Sequence, residues 1–103
     1  MTEKFVSPCP PPEGHIRELL TILIEEAAEV QQRATKALRF GVEEVQPGQL
    51  LSNAQRLALE LGDLSEVVSR LIAEDVVSHA DINAGIVNKR RQLDKFMQTT
   101  PAA

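Results

Sequence analysis

Two runs of apolar residues recur at three- and four-residue steps, a period that commits most of this chain to α-helix. The first run is Ile16, Leu20, Leu23, Ala27, Val30, Ala34 and Leu38. The second is Leu57, Leu61, Leu64, Val67, Val68, Leu71 and Ile72. At about 100° per residue each run covers one arc of a helix, and an apolar arc has to be buried against something. A first helix is predicted from His15 to Arg39, opened by Pro12 or Glu13 and closed by Lys36, Arg39 and Gly41. Gly41, Pro47 and Gly48 make residues 41–51 a loop, long enough for an antiparallel return. A second helix is predicted from Ser52 to Glu74, with Ser52 and Gln55 in a capping-box pattern. A third lies within residues 78–97, capped by Ser78 or Asp81, with a weaker stripe of Ile82, Ile86, Leu93 and Phe96.

At 103 residues the chain makes one domain. Residues 1–13 read as a proline-rich arm, 14–97 as the helical domain and 98–103 as a flexible tail. With no Trp or Tyr and three Phe, the core is aliphatic, which favours helices packed on helices. The expected fold is therefore an all-α helical bundle. Three such helices close a core poorly alone, so a homodimer or a homotetramer is expected to complete it. A net charge of −4 argues against a nucleic-acid partner. No apolar run approaches the roughly 18 residues of a membrane span. One cysteine and no signal peptide fit the cytoplasm. Cys9 lies between prolines without a nearby cation, a poor setting for a nucleophile. His15 and His79 read as surface residues near helix starts.

Within the two strong helices lie two acid clusters, Glu25-Glu26-Ala27-Ala28-Glu29 and Glu60-Leu61-Gly62-Asp63. Residues three apart are neighbours on a helix, so Glu26 points with Glu29 and Glu60 with Asp63. Like charges at that spacing repel, and a carboxylate beside an apolar stripe is costly unless it is paired or metal-bound. Packed antiparallel, the two helices would bring Glu26, Glu29, Glu60 and Asp63 around one cavity. An all-oxygen set of that kind suits Mg²⁺ or Mn²⁺. Glu25 adjoins it off the line, as a general base for an attacking water or as a ligand to an extra metal. Gly62 sits mid-helix at a cost of about 1 kcal/mol against Ala, as expected where another backbone or a ligand comes close. On the third helix, Asn88, Lys89 and Arg91 offer an amide and cations to the far phosphates of a polyphosphate. Lys36 is most simply a helix-end charge and is a further candidate phosphate contact.

The pattern Glu25-Glu26-Ala27-Ala28-Glu29 followed by Glu60-Leu61-Gly62-Asp63 resembles the EExxE…ExxD signature of MazG-like all-α nucleoside triphosphate pyrophosphohydrolases. Asn88-Lys89-Arg90-Arg91 resembles the Asn/Lys/Arg segment that these proteins carry on a later helix. The similarity covers roughly residues 16–96. It implies a helical bundle completed by oligomerisation, with Mg²⁺ held by Glu26, Glu29, Glu60 and Asp63. Water would attack the α-phosphorus, releasing a nucleoside monophosphate and pyrophosphate. Glu25 would be the base or an auxiliary ligand, with Lys89 and Arg91 on phosphates and Asn88 beside them. Phe40, Phe96 and Phe5 are the aromatic candidates for stacking on a base.

Two other readings stay open. One is hydrolysis of a different polyphosphate, such as a phosphoribosyl-nucleotide triphosphate. The other is a non-catalytic helical oligomerisation module whose acids only make ion pairs. A di-iron carboxylate bundle fits less well, because neither acid pair has the Glu-x-x-His partner it uses.

Overall fold

Local signals place three helices in order in the computed structural model, which describes residues 9–101: α1 (Gly14–Phe40), α2 (Asn53–Ala73) and α3 (His79–Phe96). There is no strand among the described residues, so the chain is all-α. The predicted helix bounds hold to within a residue or two, and residues 1–8 and 102–103 lie outside the described part.

The helix ends follow from single residues. Gly41 takes φ 104°, in the region that favours glycine, and its N–H donates to the Ala37 carbonyl at 2.9 Å. At the start of α2 the capping box forms: the Gln55 N–H donates to Ser52 Oγ at 3.1 Å, and the Ser52 N–H to Gln55 Oε1 at 2.9 Å. The next two free donors find the loop, Asn53 N–H on the Glu44 carbonyl and Ala54 N–H on the Val42 carbonyl, both at 2.8 Å. Ser78 Oγ caps α3 by accepting from the Asp81 N–H at 3.0 Å.

Asn53 was not legible as structural from the sequence, yet it is the most buried polar residue, 1% exposed. Its Nδ2 donates to the Gly41 carbonyl at 2.9 Å and to Glu44 Oε1 at 3.1 Å, tying the end of α1 to the start of α2. Asn53→Ala removes the donor that the Gly41 carbonyl and Glu44 Oε1 share. The expected loss is about 1–3 kcal/mol, read as a lower denaturant midpoint with an unchanged slope.

α2 returns antiparallel to α1. At one end Asn53 holds Gly41; at the other, His15 Nε2 lies 3.4 Å from Glu74 Oε1. The seam between the helices is lined by Leu19 and Ala37 from α1 and by Val67 and Leu71 from α2. It is rotated from the predicted α1 arc: Ala27, Ala34 and Leu38 are exposed, Leu38 to 87%. With that rotation the Glu26 side chain takes a seam position midway along the helix. The seam steps Leu19, Leu23, Glu26, Val30, Arg33, Ala37, each at least half-buried. In α2 Glu60 is likewise half-buried between Leu57 and Leu64.

Helical geometry then assigns the two flanks of this hairpin. One carries Glu18, Glu25 and Glu29 from α1 with Asp63 and Glu66 from α2. The other carries the outer part of the predicted apolar arcs, Leu20, Ala27, Ala34 and Leu38 from α1 and Leu61, Val68 and Ile72 from α2, with the uncharged Gln31 and Ser65 among them. α3 makes no extended contact with either helix and buries no residue. The radius of gyration is accordingly 18.5 Å, against about 13 Å for a closed domain of this length. The expectation that a neighbour approaches Gly62 is not met within one chain: nothing lies within 4 Å of where a Cβ would stand. That position faces away from α1, so the hairpin leaves it open.

Candidate metal centre

Because both seam acids sit near the middle of antiparallel helices, they meet. Glu26, Glu60 and Asp63 each offer one carboxylate oxygen, and the three oxygens lie within 4.8 Å of one another. Around Mg²⁺ at about 2.1 Å, ligand oxygens stand about 3 Å apart when adjacent and about 4 Å when opposite. The observed spread needs only a small contraction to match. Glu26 and Glu60 are half-buried and Asp63 is exposed, so the group opens onto the acidic flank.

Glu26 is the strained member. Its Oε2 is buried with no hydrogen-bond partner, which is uncommon for a buried polar atom. Its carboxyl is pushed above the ordinary range, first by desolvation, then by the charges of Asp63 and Glu60, a hydrogen bond shared with Glu60, and the charge of Glu29. Every one of these causes favours a proton or a cation on Glu26. The orphaned oxygen and an oxygen-only donor set fit a hard divalent cation.

The sign of the pH dependence follows. A carboxyl raised on folding binds its proton more tightly in the folded state. Its stabilisation is complete below the ordinary Glu pKa and is lost as pH rises through the raised folded value. Metal-free protein is therefore expected to melt at a lower temperature at neutral pH than at mildly acidic pH, as far as Glu26 decides it. Glu26→Gln is expected to flatten that slope, raise the neutral-pH melting temperature in chelator, and abolish stabilisation by added Mg²⁺. Thermal melts across pH, with and without metal, check all three.

The remaining candidates are placed unevenly. Glu29 is half-buried on the same flank and acts on Glu26 through its charge, but its carboxylate is not among the converging three. Glu25 is exposed one position away and lines a shallow groove along α1 with Arg17, Glu18 and Thr21. Lys36 lies almost three turns beyond Glu26, about 15 Å along the axis. Its ammonium stands 5.8 Å from the Phe40 ring, which Arg39 also covers at 4.8 Å. Asn88, Lys89 and Arg91 are exposed on α3 and are not brought to the acids within one chain. They also divide between faces: Lys89 and Arg90 share a groove with Ile86 and Leu93, while Asn88 and Arg91, three apart, point to the other side. Phe96 lies 5.3 Å from the Lys95 ammonium, and Phe5 falls outside the described residues. Cys9 is exposed, as are His15 and His79. Among the described residues no histidine or cysteine joins the acids, and no second group of this kind forms.

No helix among the described residues is long and apolar enough to cross a membrane. Comparison with protein-family models, with curated proteins and with solved structures finds no match to this chain.

Proposed function

We propose that this chain is a metal-dependent nucleoside triphosphate pyrophosphohydrolase of the cytoplasm, converting a (d)NTP and water to a (d)NMP and pyrophosphate. The observation that carries the metal half of this reading is the convergence of Glu26, Glu60 and Asp63, together with a buried, unpartnered oxygen on Glu26. The reaction half is supported by the EExxE…ExxD resemblance. Glu26, Glu60 and Asp63 would hold Mg²⁺ or Mn²⁺, with Glu29 closing in as the fourth carboxylate. When bound, the metal supplies charge neutralisation at the phosphates and a water of lowered pKa. Glu25, exposed one position from Glu26, would take the proton of the attacking water. Asn88, Lys89 and Arg91, with Lys36, would neutralise the leaving pyrophosphate. α3 stands off the hairpin, so its contacts require it to approach on substrate binding or assembly. The enzyme would act as a homodimer or homotetramer.

The test is product analysis over a panel of NTPs, dNTPs and a phosphoribosyl-nucleotide triphosphate, with Mg²⁺, with Mn²⁺ and with chelator. Metal-dependent release of a monophosphate and pyrophosphate is the expected result. A diphosphate plus orthophosphate would move the attack to another phosphorus. Absence of turnover across the panel, with no metal bound, would leave the helical module.

A further inference from the structure

The seam that holds the acids also carries two arginines. Arg33 follows Glu26 by seven residues. That is about two turns, so Arg33 leaves α1 within about 20° of the direction of Glu26 and about 10 Å further along the axis. Arg56 precedes Glu60 by four residues, within about 40° of its direction and about 6 Å away along α2. Because the helices are antiparallel, both steps run the same way. The two guanidiniums therefore follow the acids in order, one from each wall of the seam, and both residues are half-buried.

Neither arginine has a counter-charge. Arg33 has no hydrogen-bond or ion-pair partner among the described residues, although Glu29 lies four residues before it, the favourable order for a helical ion pair. Arg56 reaches only a neutral acceptor, Gln46 Oε1, at 3.5 Å. Pairing does occur elsewhere on this side of the hairpin, where Arg70 holds Glu66 at 3.0 Å. A charge drawn out of water without a partner is costly, and this seam holds one of each sign: a Glu26 oxygen without a donor and the Arg33 guanidinium without an acceptor. A bare cation would satisfy only the acids, and a simple anion only the arginines. A polyphosphate carrying a divalent cation satisfies both. We propose that Arg33 and Arg56 are the polyphosphate subsite of the metal centre, so that the phosphates beyond the cation lie across Arg56 and then Arg33. The subsite rests on the metal half of the catalytic reading. Guanidinium suits the task because its planar fork donates two parallel N–H bonds to a phosphate. This subsite is built within one chain, whereas the cations of α3 stand off the hairpin.

The probe is magnesium pyrophosphate, titrated calorimetrically into the full chain, with Mn²⁺ alone titrated separately. Wild type is expected to bind both. Arg33→Gln and Arg56→Gln are each expected to weaken pyrophosphate by about tenfold or more, the effect of losing a charge-assisted hydrogen bond. Both are expected to keep Mn²⁺ affinity within about threefold of wild type. Arg33→Lys, which keeps the charge and loses the fork, is expected to fall between. Arg17→Gln, on the outer face of α1, is expected to change neither affinity. Circular dichroism checks that each variant is helical, and Arg56→Gln with Arg33→Lys carries the test if Arg33→Gln does not fold. Wild-type pyrophosphate affinity in the arginine variants would overturn the subsite, as would its loss in Lys89→Gln or Arg91→Gln alone. A wild type that binds Mn²⁺ but not pyrophosphate would overturn the subsite and leave the metal centre standing. A wild type that binds neither would overturn the metal centre and the subsite with it. Pyrophosphate held through the arginines, without turnover of any nucleotide, would support the subsite and remove the proposed reaction.

Discussion

Glu60→Ala is expected to lower metal-dependent pyrophosphate release by at least about a hundredfold, the upper end of what losing a mere supporting residue costs a metal site. Glu60 is half-buried at the seam, converges with Glu26 and Asp63, and is one of the acids whose charge raises the Glu26 carboxyl. Removing it would take away one of the three candidate ligands and leave only Glu26 and Asp63 to hold a cation. The same substitution relieves like-charge repulsion in metal-free protein. So the variant should fold at least as well as wild type in chelator, and should lack the stabilisation that added Mg²⁺ is expected to give wild type. Steady-state turnover and paired melts distinguish this from a folding defect. Wild-type turnover in Glu60→Ala would mean that the converging acids are not the site.

Leu71→Ala is expected to cost about 2–5 kcal/mol, the range for emptying a buried leucine position. Leu71 is 2% exposed and packs with Leu19 and Val67, with Leu20, Ile22 and Leu23 around them. Few other side chains are buried in this hairpin. Against a total stability of about 5–15 kcal/mol, that loss removes much of the margin. A shift of the denaturant midpoint measures it. Leu38→Ala, at an exposed position of one chain, makes the informative contrast: a comparable loss there would mean that its flank is covered in solution.

The acid centre was legible because its spacing is local. Glu26 with Glu29, and Glu60 with Asp63, share a face by helical geometry alone, and the loop between them is long enough for an antiparallel return. What spacing does not carry is the register between the helices. The structure sets Glu26 opposite Glu60, which brings in Asp63 and leaves Glu29 outside the converging oxygens. The cations of α3 were read as one group from adjacent positions, whereas adjacent helical residues point about 100° apart. Lys89 therefore parts from Asn88 and Arg91. Asn53 was missed because its role depends on a loop carbonyl twelve residues away, at Gly41, and on Glu44.

By itself the sequence determined what depends on neighbours along the chain. It set three helices, the cap at Ser52, a choice of Ser78 or Asp81 for the cap that the structure gives to Ser78, the stop at Gly41 and the pairing of acids on each helix face. Periodicity, capping chemistry and glycine's backbone freedom act over a few residues, so they can be read without coordinates. Only the tertiary structure decided which slice of each broad apolar arc becomes the seam. Packing α1 on α2 buried Leu19, Ala37, Val67 and Leu71, drew Glu26 and Glu60 inward, and left an uncharged apolar flank and the whole of α3 outside. That choice depends on register and facing between distant segments, where the burial of one side chain is set by its neighbours across the seam.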